Sequence, residues 1–386
     1  MTTFANLTPP KLPEGSARLR EDLRAFLAES RRALGWTPNS NFIGVFSAEF
    51  SRALGARGYI GLTWPKDYGG QARSALERYI VTEELLAAGA PCAAHWVADR
   101  QSGPLLLRFG TDAQRRDILP RIARGECYFS IGMSEPDAGS DLAAVRTRAI
   151  RTVQGWRIDG AKVWTSNAHV NHYAIVLCRT GPAGESRHEG LSQFLVDLKT
   201  DGVRVNPILN LLGDHEFNEM VFDGIEIPAD RLIGNEGEGW NQVRSELAFE
   251  RSGPERFFGT FHLLLATVEA ARERGDGAAE RAIGRLVAHF LSLRSLSLAV
   301  AGMLQDGRDP GVAAALVKDL GARFELDVLE VARDLLPGPP SRPEPGAAEN
   351  LDDALGRAIL QVPSYSLRGG TPEIMRSIIA RELGLR

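Results

Sequence analysis

The chain has 386 residues, 44% hydrophobic and 24% charged, with a formal net charge of −4. That length allows two or three domains with sizeable cores. The composition is that of a soluble globular protein, and the slight negative charge excludes the basic excess that nucleic-acid binding requires. Charged residues interrupt the long apolar stretches, so no membrane-spanning segment is expected. The first residues, MTTFANLTPPKLPEG, lack a basic start followed by an apolar core, and no secretory signal is read there. Cys92, Cys127 and Cys178 are an odd count without metal-ligand spacing, which fits buried reduced thiols in a cytoplasmic protein.

In chain order, Leu19, Leu23, Phe26 and Leu27 recur at helical spacing, with Leu34 two turns on, and Gly35 and Pro38 stop that helix. SAEFSRALGARG, ALERYIVTEELLAAG and TDAQRRDILPRIARG read as further helices, the last with Thr111 as N-cap. GLTWPKDYGG between them is rich in turn residues. From about Cys127 the periodicity becomes two. WRIDGAKVW carries a hairpin signal at Asp159–Gly160, and YAIVLCRT, SQFLVDLKT, VRVNPI and EMVFDGIEI are strand-like runs separated by Gly, Asp and Pro. After IPADRLIGNEGEGW, where Trp240 is read as packing, helical patterns return: NQVRSELAFERSGPERFFGTFHLLLATVEAARERG, AAERAIGRLVAHFLSLRSLSLAVAGMLQ, GVAAALVKDLGARFELDVLEVARDLL and a last helix, PEIMRSIIARELG. PGPPSRPEPG, at 337–346, is too rich in Pro to continue a helix. The expected fold is α+β and mainly α: an N-terminal helical domain over 1–125, a small antiparallel β-domain over 126–235 and a C-terminal helical bundle over 236–386.

The sequence is most informative at MSEPDAGSD, Met133 to Asp141, and KVWTS, Lys162 to Ser166. A small hydroxylated loop with glycine lets backbone N–H groups approach a planar ring and its anionic edge, while an indole covers another part of that ring. In this order and spacing the two blocks resemble the flavin-cradling segment of the acyl-CoA dehydrogenases, and the resemblance extends over nearly the whole chain. It implies FAD, held by Ile131, Met133, Ser134, Gly139, Trp164 and Ser166. In that scheme Ser134 and neighbouring amides donate to the pyrimidine side of the isoalloxazine, Ser166 serves its N5 region, and Trp164 stacks beside it. Ser140 stands where the family touches the pantetheine arm, although a helix N-cap accounts for it equally well. Thr371, with Pro372 and Glu373 in the first turn after it, stands where the family binds the FAD phosphates at a helix start.

Oxidation of a thioester between its α and β carbons needs a base for the α-proton, a flavin for the β-hydride and donors for the developing enolate. A carboxylate closed in by acyl chain and flavin is desolvated and becomes a stronger base. The family offers two places for it. One precedes Gly-Thr in the C-terminal motif, and in YSLRGGTPEIMR that position is Gly369, which takes no proton. The other lies in an L-x-x-E-R pattern, where LAFERSG supplies Glu250 followed by Arg251. The base is therefore assigned to Glu250, with Arg251 orienting it or forming an ordinary surface pair. Glu246, four residues earlier on the same helix face, is the second candidate, and Glu255 a weaker third.

Two departures from the family pattern concern the contacts made to a neighbouring subunit's cofactor. ARERGDGAA keeps Arg274 of an Arg-x-x-Phe-Gly segment but has Gly277 and Ala278 in place of Phe-Gly, and DLLPGPPSRPEPG lacks the paired glycines of the second loop. The chain is thus expected to form either a homo-oligomer with altered loops or a heteromer with a homologous subunit. The expected substrate is an acyl-CoA or acyl-carrier thioester, and the acceptor an electron-transferring flavoprotein. A flavin monooxygenase or oxidase on the same fold and a non-catalytic subunit are the competing readings. The seven histidines show no convergent metal spacing.

Overall fold

The computed structural model describes all residues except 1–6, 276, 337, 342, 344–349 and 386, and for Leu247 to Glu250 it describes the backbone alone. Among the described residues, α1 (Ser16–Leu34), α2 (Ala48–Ala56), α3 (Ala75–Ala87), α4 (Ala93–Val97), α5 (Gly103–Phe109) and α6 (Asp112–Ala123) come first. The strands follow: β1 (Phe129–Gly132), β2 (Arg148–Arg151), β3 (Gly155–Ser166), β4 (Tyr173–Arg179), β5 (Leu191–Asp197), β6 (Val203–Leu209), β7 (His215–Pro228) and β8 (Leu232–Ile233). The chain ends in α7 (Gly239–Glu250), α8 (Phe261–Arg274), α9 (Gly277–Gln305), α10 (Gly311–Asp334), α11 (Leu351–Tyr365) and α12 (Pro372–Glu382).

Local chemistry explains several of these bounds. Leu19, Leu23, Phe26 and Leu27 are the buried stripe of α1, and Gly35 closes that helix at φ 67°. Reciprocal capping boxes start α3, through Ser74 and Glu77, and α6, through Thr111 and Gln114. Each such cap contributes about 1 kcal/mol.

Backbone packing divides the chain into two compact units that cut across the order of the sequence: Met1–Phe42, Ser74–Ala90 and Glu250–Arg386 form one, and Ile43–Arg73 with Pro91–Phe249 the other. The second unit holds the whole sheet, in the order β6-β7-β3-β2-β4-β5-β8, with β1 attached to β4. Most pairings are antiparallel, as alternation predicts, but β1 and β2 both run parallel to β4, so the sheet is mixed. Its buried face carries Trp156, Ile158, Phe194, Val196, Met220 and Phe222. Helix α7 is fixed to this unit by Val243, which packs with Ala138, Val145, Leu177 and Leu191, and by Gln242, whose Nε2 donates to Ile233 O at 2.7 Å.

Asp159–Gly160 is not a hairpin turn. Strand β3 runs straight through it, and the pairing with β7 shifts register between Ile158 and Gly160. Gly160 sits at φ 146°, and a Cβ there would lie 2.6 Å from Thr147 Oγ1. The extra residue lies on β7, and a turn and a close approach within a strand both call for glycine, which is why the dipeptide is ambiguous in the sequence.

In the first unit α10 packs against α8, α9, α11 and α12, while α3 packs against α1 and α9. Buried carboxylates are neutralised between α1, α3 and α9: Glu83 receives Arg20 at 2.5 Å and Arg294 at 2.6 Å, and Glu84 receives Arg24 at 2.6 Å and also Arg20. Helix α9 is long and apolar enough to cross a membrane, and 44% of its most apolar window is buried within the protein. Helix α11 was not expected: it follows the Pro/Gly run and contains Pro363. Most of the run at 337–346 lies outside the described residues.

Candidate functional site

Met133–Asp141 and Lys162–Ser166 form one structure. Val163 N–H donates to Ser134 O at 2.9 Å, and Ser130 Oγ donates to Ser166 O at 2.8 Å. Lys162 is fully buried on β3, and its Nζ donates to Met133 O at 3.0 Å and to Glu135 Oε1 at 2.8 Å. Glu135 also accepts from the backbone N–H of Arg146 at 2.7 Å and of Thr147 at 2.9 Å. Burial works to raise the Glu135 pKa, but the Lys162 charge and these donors outweigh it and hold the carboxyl below its usual range. Burial also pulls Lys162 below its ordinary value, against the attraction of its partner. This pair was not read from the sequence. Its signal is a lysine at a position of β3 where alternation demands an inward side chain.

A second bulge shapes the loop face. Between Lys162↔Met220 and Thr165↔Asn218, β3 advances three residues while β7 advances two. Trp164 absorbs the extra step at φ 62°, a left-handed conformation that costs a non-glycine residue about 1–2 kcal/mol. Its indole is 60% exposed and meets the Phe217 ring edge-on at 6.1 Å. The bulge is held by reciprocal hydrogen bonds, Thr165 Oγ1 to Asn218 O at 2.7 Å and Asn218 Nδ2 to Thr165 O at 3.0 Å. Asn167 is also left-handed, at φ 54°, and anchors through Nδ2 to Ile43 O at 3.0 Å. A strained backbone that presents a large aromatic ring to solvent is the feature expected of a platform for a flat ring. The residues therefore fit an isoalloxazine. Phe217 and Asn218 carry no sequence motif and were missed.

Around this platform, Ile131 is half-buried on β1 opposite Ile175, and Met133 packs partly against the cluster of Ala138, Leu177 and Val243. Gly139 and Ser140 are exposed, and nothing approaches within 4 Å of where a Gly139 Cβ would stand. Asp141 pairs with Arg187 of the β4–β5 loop, and the next residue, His188, stacks on Trp240 at 4.0 Å. Ser140 does not cap a helix of one turn or more: a short 3-10 turn begins at Leu142, after Asp141. Glu246 is buried on α7, where its Oε2 accepts from Gln193 Nε2 of β5 at 2.8 Å. Its placement fixes the helix to the sheet.

The remaining candidates lie in the first unit. Glu250 is the last residue of α7, and its side chain lies outside the described residues. Arg251, next in the chain, donates from Nε to Gly369 O at 3.1 Å. Gly369 and Gly370 have φ of 73° and 103°, and a Cβ at Gly370 would stand 2.6 Å from Met375 Cε. Thr371 then caps α12, Pro372 opens it, and Glu373 lies in its first turn. The Glu373 carboxyl is held below its usual range by a hydrogen bond to its own backbone and by the Thr371 hydroxyl. Glu255 is buried in a 3-10 turn, Pro254–Arg256, and Arg274 is the exposed last residue of α8. Among the described residues no group of His, Cys, Asp and Glu could hold a metal ion.

The three family models that describe the N-terminal, middle and C-terminal domains of acyl-CoA dehydrogenases match residues 13–126, 130–225 and 237–384. Acyl-CoA dehydrogenase IpdE1 of Mycobacterium tuberculosis is 34% identical over 389 residues, covering 95% of this chain and 98% of the relative. Among solved structures, the Tcur3481-Tcur3483 steroid ACAD superposes with a TM-score of 0.84 at 29% identity, covering 97% of this chain and 99% of the other. The ChsE4-ChsE5 complex from Mycobacterium tuberculosis superposes with a TM-score of 0.82 at 29% identity, with the same coverage.

Proposed function

The chain belongs to the acyl-CoA dehydrogenase family, an FAD-dependent class of oxidoreductases, and we propose that it desaturates an acyl-CoA thioester between the α and β carbons with Glu250 as its base. The observation that carries the reading is the joining of the two motif blocks into one platform, with Trp164 held in a left-handed bulge and largely exposed.

FAD, when bound, supplies the acceptor for the β-hydride. Ser134, Ser166 and the nearby amides would orient the ring, and Trp164, Ile131, Met133 and Gly139 would help to hold it. Glu250 removes the α-proton. Support for Glu250 over the C-terminal position is chemical: Gly369 carries no acid, and its backbone is committed to a left-handed turn. Arg251 holds that turn through Gly369 O, so it steadies the loop beside the base. Glu246, tied to Gln193, positions α7 rather than moving protons. Ser140 serves the pantetheine arm, and Thr371 and Glu373 frame a helix start suited to an anion. We keep 1–125, 126–235 and 236–386 as the proposed functional division. Anaerobic titration of the flavin-loaded protein with a panel of acyl-CoA thioesters tests the reading. Loss of flavin absorbance with one chain class is expected, and no bleaching by any thioester, with or without a partner subunit, overturns it.

For assembly we propose a heteromer with a homologous chain. The sequence beyond Arg274 departs from the family's contact for a neighbour's cofactor, and the similar solved structures include the ChsE4-ChsE5 complex and the paired Tcur3481-Tcur3483. An electron-transferring flavoprotein is the proposed acceptor, and the cytoplasm the proposed location. Co-expression with a homologous subunit is expected to raise FAD content well above that of the chain alone. Full FAD occupancy and turnover as a homodimer sinks the heteromer.

A further inference from the structure

The bulge that presents Trp164 is tied to a pair of histidines that neither motif block includes. His215, half-buried at the start of β7, donates from Nε2 to Asn218 Oδ1 at 2.7 Å. His169, exposed in the turn after β3, lies flat on the His215 ring, with centres 3.7 Å apart and planes 16° from parallel. Burial and the neighbouring His215 hold the His169 imidazole below its ordinary pKa, against a hydrogen bond to Asn218.

The Asn218 amide is fixed in one orientation. Its Nδ2 donates to Thr165 O at 3.0 Å, and a carbonyl oxygen only accepts. Oδ1 therefore faces the imidazole, and His215 carries a proton on Nε2. Asn218 is fully buried, and its backbone carbonyl accepts from Thr165 Oγ1 at 2.7 Å. The contacts thus run from His215 to Asn218 and from Asn218 to Thr165, and Trp164 with its left-handed backbone is the residue before Thr165. A strained residue keeps its conformation only where its surroundings over-determine it. Asn218 supplies that constraint to the bulge, and His215 satisfies the end of the amide that Thr165 leaves over.

We propose that His215 is a positioning residue of the flavin platform: through Asn218 it holds the bulge at which Trp164 meets the isoalloxazine. The inference rests on the reading of Trp164 as that platform and adds to it a residue that acts through another.

The test is a double-mutant cycle on FAD affinity, measured by calorimetric titration of the FAD-free protein, with its partner subunit if one is needed. His215→Phe keeps a flat ring for the stack and removes the donor, and it is expected to weaken FAD binding roughly 3- to 10-fold. Trp164→Ala is expected to weaken it roughly tenfold. Adding His215→Phe to Trp164→Ala is expected to change affinity by less than about twofold, because the histidine acts through the tryptophan. His215→Gln is expected to stay within about twofold of the wild type, since its amide N–H takes the place of Nε2–H. Urea unfolding of each FAD-free variant checks that it is folded. If His215→Phe is not, His215→Leu carries the same cycle, and failure of both to fold makes the residue structural and overturns the proposal. An equal loss of affinity with and without the Trp164 ring also overturns it, because His215 then serves general stability or the cofactor itself. So does a loss that His215→Gln shares, since the ring and not the donor is then what counts. If Trp164→Ala weakens FAD binding and His215→Phe does not, the positioning role falls and the platform reading stands. If neither weakens it, both fall.

Discussion

Replacing Lys162 by Met puts the buried centre of the proposed flavin platform under direct test. The substitution keeps most of the side-chain volume and removes the ammonium that holds Glu135 Oε1 and Met133 O, at 2.8 and 3.0 Å. Glu135 then stays buried with only the Arg146 and Thr147 amides as donors. Breaking one side of a buried pair costs about 3–5 kcal/mol, and the two remaining amides place the expected loss at the lower end, about 3 kcal/mol at pH 7. The pH dependence separates this from mere loss of packing. In the wild type the Glu135 pKa is depressed, so its contribution is present above the unfolded carboxylate pKa and is lost as pH falls through the folded value. In the variant only the two amides oppose burial, and the folded pKa is expected to rise above the unfolded one. Its penalty is then full at neutral pH and fades as the carboxyl protonates on acidification. Urea unfolding followed by circular dichroism at pH 7 and pH 5 measures both. A loss under about 1 kcal/mol, or one that does not shrink at pH 5, refutes the reasoning. Adding Glu135→Gln to the variant is expected to restore most of the loss, because no buried charge then lacks its partner.

Trp164→Gly relieves a left-handed tryptophan, so the FAD-free protein is expected to be about 1 kcal/mol more stable or unchanged, while FAD affinity falls roughly tenfold. A thermal melt and a fluorescence titration check the two halves, and unchanged FAD affinity removes Trp164 from the cofactor site. Gly160→Ala brings a Cβ against Thr147 at φ 146° and is expected to cost about 1–3 kcal/mol in urea unfolding, and a loss under about 0.5 kcal/mol contradicts the close approach of Thr147. Glu325, whose folded pKa is raised to about 7, contributes stability that is complete below the unfolded carboxylate value and is lost as pH rises through about 7. Glu325→Gln is therefore expected to gain on the wild type, by about 3 kcal/mol at most, between pH 4.5 and pH 8, and a constant difference over that range contradicts it.

Sequence reading found the elements whose signal is local. The stripe of Leu19, Leu23, Phe26 and Leu27 and the Thr111 cap are set by residues within one or two turns of each other, and each appears where periodicity and capping chemistry put it. Errors arose where one residue serves two geometries. Gly160 suits a turn or a close approach within a strand, and the Thr147 side chain that requires glycine there comes from the segment just before β2. Helix α11 was hidden by the Pro/Gly run before it and by Pro363 within it. The candidate site was legible as two motif blocks in their order along the chain, which the structure joins through Val163 and Ser134. Its support was not: Lys162 meets Glu135, and Phe217 meets Trp164, only through the sheet register. Nor does any sequence preference of tryptophan announce its left-handed backbone. The division into two units was equally illegible, since α3 joins α1 and α9 while α2 and α4 to α6 lie with the sheet.

The proposed chemistry turns on whether this chain's own Glu250 takes the α-proton. The most direct measurement is the rate of anaerobic flavin bleaching by the acyl-CoA that reduces the wild type, compared with the Glu250→Gln variant at equal FAD content. A fall of roughly 10²- to 10⁴-fold, with thioester binding retained, is predicted for loss of a general base. Bleaching by the variant at the wild-type rate would contradict the assignment and place the base elsewhere.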